Sequence, residues 1–245
     1  MSICDIHCHI LPGADDGVSS SKEALEVLQE AQRQDIRQII LTPHYYPGLY
    51  EVTSAQVKKG LGVLKKICDY QKINIKLYAG QECFYHTELT EKLNRGEVLT
   101  LAGSRYVLVE FDPESPYSFI ISGLRQLQAN GYIPVLAHFE RYVCLRKKEA
   151  LLYLKDLGIQ LQMNFDTLLE KDTFFHRNPW RALVKDGIVD YLGSDCHGME
   201  FRPLQVDQAV QWLRTETDPD IQDRMLVVSQ NKVPVSCTKT ANYYI

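Results

Sequence analysis

Two histidines one residue apart, His7-Cys8-His9, close the first apolar run of this chain. In an extended strand residues i and i+2 share a face, so the two imidazoles converge while Cys8 turns away. The same spacing returns late in the chain as Asp195-Cys196-His197. Between these pairs, other β-rich runs give way to Thr42-Pro43-His44, Gly80-Gln81-Glu82, Glu110 and His138. Asp16 lies in the turn Leu11-Pro12-Gly13-Ala14-Asp15-Asp16-Gly17. Imidazole and carboxylate donors without thiolate suit zinc, manganese or iron, and nine of them suffice for more than one ion. One HxH or one acid at a strand end carries little weight. Repetition carries the reading: six of the seven strands predicted below end this way, and only the sixth, running into Asn164-Phe165-Asp166, lacks an obvious ligand. His86 and His176 fall outside the pattern and are expected at the surface.

The elements that must position these groups alternate. Seven β-rich runs are predicted as strands: Ile3 to His7, Ile36 to Leu41, Ile75 to Ala79, Tyr106 to Glu110, Ile133 to His138, Ile159 to Met163 and Val189 to Leu192. Several are nearly continuous apolar runs, as parallel strands covered on both faces require. Helical spacing appears between them. Ser20 and Glu23 have capping-box spacing ahead of Ala24, Leu28 and Ala31. Val57, Leu61, Leu64 and Cys68, then Ile120, Ile121, Leu124 and Leu127, then Val206, Ala209, Val210 and Leu213 continue the pattern. Alternating strand and helix gives a doubly wound sheet or a barrel. An open sheet gathers its site at one switch point, whereas a barrel uses the C-terminal ends of many strands. Six reactive strand ends favour a barrel, formed by residues 1–245 as one domain.

Composition narrows the function. The net charge of −4 argues against nucleic acid as the partner. No apolar run approaches membrane-spanning length and no secretory leader pattern opens the chain, so a cytoplasmic location is expected. Seven cysteines without a CxxC pair are expected to pack as small apolar groups in a reducing compartment. No cysteine-phosphatase motif is present.

The ordered blocks DIHCHILPGADDG, TPHYYPG, GQE, VLVEF, AHFERY and GSDCHG resemble the PHP (polymerase and histidinol phosphatase) superfamily, from Asp5 to Arg202. HxHxLPGxDDG together with HxERY makes the chain most similar to the CpsB/CapC/YwqE branch, manganese-dependent bacterial tyrosine phosphatases of capsule and exopolysaccharide operons. The resemblance implies a distorted seven-stranded (β/α) barrel, PHP type, with three divalent metal ions, manganese ahead of iron or zinc. It implies that His7, His9, Glu82 and Asp195 hold one ion. Glu82, Glu110 and His138 would hold a second, and Asp16, His44 and His197 a third. Arg141 and Arg202 match phosphate-binding positions, for which a guanidinium fork is suited. Asp5, two residues before His7, is expected on the same strand face as an acceptor for a ligand imidazole.

The implied activity is hydrolysis of phosphate monoesters by hydroxide that a metal makes available near neutral pH. The implied substrate is a phosphotyrosine protein, a bacterial tyrosine kinase of polysaccharide export. Three divalent ions outweigh four carboxylates, so the site would attract a phosphate dianion despite the acidic whole. Tyr45, Tyr46, Tyr142, Phe139 and Phe201 are the aromatics expected near a substrate ring. Two alternatives stand beside this reading: a small-metabolite phosphatase such as a histidinol-phosphatase, and a non-catalytic metal-stabilised binding module. The chain departs from the branch where Tyr45-Tyr46-Pro47 follow His44, a loop that often holds further histidines in relatives. It departs again in Val233 to Ile245, which carries no catalytic expectation, and the pair Tyr243-Tyr244 resembles a phosphoacceptor cluster only superficially.

Overall fold

The computed structural model describes residues 3–170 and 178–226. His176, the Val233 to Ile245 segment and Tyr243-Tyr244 lie outside the described residues. The strands are β1 (Ile3–Cys8), β2 (Ile36–Leu41), β3 (His44–Tyr46), β4 (Tyr50–Glu51), β5 (Lys76–Ala79), β6 (Glu82–Phe84), β7 (Tyr106–Glu110), β8 (Ile133–Leu136), β9 (Gln160–Asn164) and β10 (Tyr191–Gly193). The helices are α1 (Ser21–Arg33), α2 (Ser54–Gln71), α3 (Leu89–Asn94), α4 (Tyr117–Ala129), α5 (Lys148–Asp156), α6 (Pro179–Lys185), α7 (Val206–Glu216) and α8 (Pro219–Leu226).

Parallel pairing runs β1-β2-β5 in one sheet and β3-β6-β7-β8-β9-β10 in the other, with β4 antiparallel on the edge of β3. The seam closes where Cys8 bridges Cys196 and the His9 amide donates to the Cys196 carbonyl at 2.9 Å. β3 continues β2 and β6 continues β5, so the ring has seven staves, as the strand ends implied. Two predicted strands are thus broken rather than ended. Pro43 has no amide to donate to a ladder, and the Gly80 amide is drawn instead to the Leu41 carbonyl at 2.9 Å. Past the break, His44 and Glu82 open new strands that pair with each other. The fifth predicted strand also stops early: β8 ends at Leu136 and His138 turns at φ 30°.

Helix packing follows the apolar spacing. α1 buries Ala24, Val27, Leu28 and Ala31, and α7 buries Val206, Ala209, Val210 and Leu213. Each Val or Leu side chain so removed from water contributes about 1.5–3 kcal/mol, and each Ala less. Ser20 caps α1 by accepting from the Glu23 amide, but Glu23 reaches back to Ser19, not to the cap itself. A separate cluster holding Ile6, Ile40, Leu108, Val135 and Tyr191 fills the barrel interior beneath the site. Cys4, Cys8, Cys68, Cys83 and Cys196 are buried free thiols, and Cys144 is half-buried. Among the described residues no helix is long and apolar enough to cross a membrane.

Two glycines are dictated by close approach. A Cβ at Gly17 would lie 2.0 Å from the His9 carbonyl oxygen. One at Gly193 would lie 2.6 Å from the His7 Cβ and 3.0 Å from Gln162 Nε2. Gly193→Ala must push apart the two strands that carry His7 and Gln162. Overpacking of this kind costs about 1–3 kcal/mol. A lowered melting temperature in the metal-free variant is the expected result; wild-type stability would contradict this packing.

Candidate metal centre

Six of the nine side chains singled out by spacing (Asp16, His44, Glu82, Glu110, His138 and Asp195) line one cavity of ≈ 230 Å³, and His7, His9 and His197 close up behind them, with Glu82 at their centre. Glu82 is fully buried. Its Oε2 lies 3.1 Å from His7 Nε2, 3.2 Å from His9 Nε2 and 3.1 Å from His44 Nδ1. Its Oε1 lies 2.9 Å from His138 Nε2, which is also 3.5 Å from Glu110 Oε1. Asp195 Oδ1 faces His7 and His9 Nε2, each at 3.5 Å. Asp16 Oδ1 stands 3.5 Å from both His44 Nε2 and His197 Nε2. Donor atoms within 4.8 Å of one another fall into three groups: His7-His9-Glu82-Asp195, His9-Asp16-His44-His197 and His44-Glu82-Glu110. The first coincides with a grouping implied by the resemblance. The other two differ in drawing His9 toward Asp16, and His44 toward Glu110.

Tautomers decide what these atoms offer. His7 Nδ1 is 3.0 Å from Gln162 Oε1, an oxygen fixed as acceptor because the His138 backbone amide donates to it at 2.9 Å. His7 therefore carries its proton on Nδ1. His9 Nδ1 donates in the same way to Asp15 Oδ2 at 2.8 Å. The two Nε2 atoms, only 3.0 Å apart, then present lone pairs to each other and to Glu82 Oε2. Glu82 Oε2, His44 Nδ1 and His138 Nδ1 are buried without a hydrogen-bond partner. Lone pairs converging in a dry pocket repel unless a cation or extra protons stand between them, so this donor set fits divalent ions.

The acid–base balance has the same origin. Burial lowers the pKa of His7, but Glu82 and Asp195 outweigh it and raise the net value. For His9, burial is likewise outweighed by Asp15 and Glu82, and the pKa rises well above the ordinary value. Burial alone would raise Glu82, yet His7 and His44 hold it well below the carboxylate range. Asp195 is also depressed, by His7 and His138 against its burial. Glu110 goes the other way: burial, then the Glu82 and Asp195 carboxylates, push it up to about 9. Without a cation, protons fill the space between the donors.

Supporting residues come from places the spacing did not mark. Gln162 and Asn164 on β9, the strand without a ligand, form a relay: Gln162 Nε2 donates to Asn164 Oδ1 at 2.9 Å, and Asn164 Nδ2 donates to Asp195 Oδ2 at 3.1 Å. Asp15 Oδ2 also accepts the His44 amide at 2.8 Å, tying the loop to β3. Polar residues at alternate positions of β9 were the available signal for Gln162. The adjacency of Asp15 to Asp16 was the signal for Asp15. Glu140 is half-buried, its pKa pushed to about 7 by burial of its carboxyl, and accepts the Asn164 amide at 2.9 Å.

Some expectations are corrected. Asp5 touches no imidazole; it accepts the His7 and Ser194 amides and the Ser194 hydroxyl. The β1 ladder slips between Asp5 and Cys8, so strand alternation does not carry from His7 back to Asp5. Tyr45, Phe139 and Tyr142 are core residues, not mouth aromatics: the Phe111 amide donates to the buried Tyr142 hydroxyl at 3.0 Å, and Phe139 meets the Trp180 ring edge-on. His86 is half-buried, with Nε2 shielded and unpartnered. Tyr46 lines the cavity and Phe201 is exposed. Leu49 and Tyr50, which no motif marked, also line it.

Arg141 and Arg202 line the same cavity. Arg141 Nη2 donates to Asp195 Oδ2 at 2.6 Å and Arg202 Nη1 reaches the same oxygen at 3.4 Å. His138, Asp195 and Arg202 all have positive φ, at 30°, 51° and 47°. Three non-glycine residues in the left-handed region cost about 1–3 kcal/mol each and cluster here alone of the cavity walls.

The pattern describing "Capsular polysaccharide synthesis, CpsB/CapC" matches residues 3–234. The chain belongs to the CpsB/CapC family. It is 33% identical over 218 residues to the tyrosine-protein phosphatase YwqE of Bacillus subtilis (strain 168), covering 86% of this chain and 84% of that one. It is 31% identical over 211 residues to the tyrosine-protein phosphatase CpsB of Streptococcus pneumoniae, covering 84% and 87%. A crystal structure from work on YwqE and CpsB, described as unique metal-dependent tyrosine phosphatases, superposes with TM-score 0.81 at 30% identity over 90% of each chain. The histidinol phosphate phosphatase of Lactococcus lactis superposes with TM-score 0.54 at 15% identity, covering 87% of this chain and 92% of that one, and so shares the fold.

Proposed function

We infer that this member of the CpsB/CapC family is a metal-dependent protein-tyrosine phosphatase of capsular polysaccharide synthesis. The observation that carries the reading is the convergence of buried donor atoms on Glu82, beside a cavity that two arginines also line. Three divalent cations, manganese first, would be held by His7, His9, Glu82 and Asp195, by Glu82, Glu110 and His138, and by Asp16, His44 and His197. Such ions supply Lewis acidity toward phosphoryl oxygens and lower the pKa of water toward neutrality.

The chain's own residues do the rest. Asp15 and Gln162 keep the Nδ1 protons of His9 and His7 in place, leaving both Nε2 atoms free. Arg141 and Arg202 offer guanidinium N–H groups to the phosphoryl oxygens of the bound ester. A phenolate leaving group, with a pKa of about 10, demands little proton donation compared with an alkoxide. The substrate on this reading is a phosphotyrosine protein, a tyrosine kinase of polysaccharide export. Residues 1–245 act as one phosphoesterase unit, and the six free cysteines among the described residues suit a reducing, cytoplasmic setting.

The test is turnover of a phosphotyrosine peptide with added manganese, lost on chelation and restored by the metal. Full activity in metal-stripped protein, or a far larger kcat/KM for histidinol phosphate, overturns the reading. Proton linkage gives a second check. At pH 7 the metal-free protein keeps a proton on Glu110, whose pKa is about 9, and His7 and His9 are raised as well. Cations bind only the deprotonated donors, so affinity should climb with pH toward 9 and binding should release protons. Adding manganese to weakly buffered protein at pH 7 is expected to acidify it. No proton release would mean that the donors are not the binding site.

A further inference from the structure

Part of the cavity wall is a preformed hairpin. Tyr46 pairs with Tyr50, and the three residues between them close the turn, with the Leu49 amide donating to the Tyr46 carbonyl at 3.0 Å. Pro47 fixes its own φ and Gly48 takes φ 79°, the conformation that a Pro-Gly turn requires. The Gly48 amide is further held by Glu51 Oε1 at 2.8 Å. The tip is therefore rigid before any ligand arrives.

That rigid tip carries apolar surface into a polar site. Leu49 lines the cavity while remaining 62% exposed. The Tyr50 ring stacks on His44, centroids 5.8 Å apart and planes at 16°, and the Tyr46 ring stacks on Phe84 at 4.0 Å and 7°. The remaining lining is His, carboxylate and Arg. A phosphoryl group held between the Glu82 cluster and the two arginines leaves its ester substituent against Leu49 and Tyr50.

We propose that the Tyr46–Tyr50 hairpin is the leaving-group subsite and that Leu49 and Tyr50 are specificity-determining residues selecting aryl over alkyl phosphate esters. The proposal rests on the phosphatase reading above and names which residues of that site choose the substrate. Contacts between a ring and an apolar or aromatic side chain account for preferences of roughly 3- to 10-fold each.

Two measurements separate the ideas. The first is affinity for phenylphosphonate and methylphosphonate, which cannot be hydrolysed, by titration calorimetry on manganese-loaded protein. Wild type is expected to favour the phenyl compound, with the ratio falling roughly 3- to 10-fold in Leu49→Ala and in Tyr50→Ala. Leu49→Met and Tyr50→Phe are expected to restore it. The second is the kcat/KM ratio of phosphotyrosine peptide to phosphoserine peptide in the same proteins, expected to fall in parallel. Wild type that turns over no phosphotyrosine peptide sinks the phosphatase reading. Wild type that is active, but whose phenyl-to-methyl ratio is near one or is unmoved by both alanine variants, sinks the subsite alone. Leu49 is at an exposed tip, so loss of fold will not obscure that variant.

Discussion

Glu82→Gln is expected to lower kcat/KM for a phosphotyrosine peptide by at least about a thousandfold, with loss of bound metal. The substitution is nearly isosteric, so the barrel remains and the effect is local. An amide keeps one acceptor oxygen and replaces the other by a donor nitrogen. That exchange falls where Oε2 faces three imidazole nitrogens within 3.2 Å and Oε1 faces a fourth at 2.9 Å. A bound cation contributes several kcal/mol of charge stabilisation in such reactions, and each 1.36 kcal/mol or so is tenfold in rate. No other carboxylate in the centre stands within 3.2 Å of four imidazole nitrogens, and Glu82 belongs to two of the three groups, so losing it disturbs more than one of them. Elemental analysis and steady-state kinetics on the same preparation check the claim. A variant with full metal content and activity within tenfold of wild type would remove Glu82 from its central place.

The position of Glu82 could be read before any coordinates existed, and the reason is regularity. HxH closes β1 with the period of an extended strand, DxH follows β10 through a turn at Asp195, and a barrel brings successive strand ends to one rim whatever lies between them. Helix faces followed for the same reason: the spacing in α7 named all four of its buried residues. What stayed hidden depends on irregularity or on contacts across the chain. Gln162 is an ordinary polar residue by sequence; it matters because β9 lies beside His7, 155 residues away. Asp5 was misplaced because a slip in the β1 ladder cannot be seen in a string of residues. Leu49 and Tyr50 sit on a hairpin past Pro43, where the predicted strand Ile36 to Leu41 is followed only by a loop. Tyr45 and Tyr142 were assigned to the mouth by sequence proximity, whereas strand alternation and the Phe111 amide draw them into the core.

Arg141→Ala is expected to reduce kcat/KM by about a hundred- to a thousandfold, the scale of removing one donor from a developing oxyanion. Arg141 is held cationic: burial lowers its pKa, but Asp195, Glu140 and Glu82 more than compensate. One nitrogen is committed to Asp195 Oδ2 at 2.6 Å, and the side chain, 34% exposed, lines the cavity. The residue thus serves phosphate and steadies Asp195 at once. Asn164 still donates to the same oxygen at 3.1 Å, so the metal content of Arg141→Ala should stay close to wild type. Arg141→Lys should recover little, since an ammonium cannot reproduce the fork that spans a carboxylate and a phosphoryl oxygen together. Arg202 shares Asp195 Oδ2, so the loss in Arg141→Ala/Arg202→Ala should fall short of the product of the single losses. Wild-type kcat/KM in Arg141→Ala, or losses in the pair that simply multiply, would show that the two guanidinium groups do not act on one phosphoryl group through a common anchor.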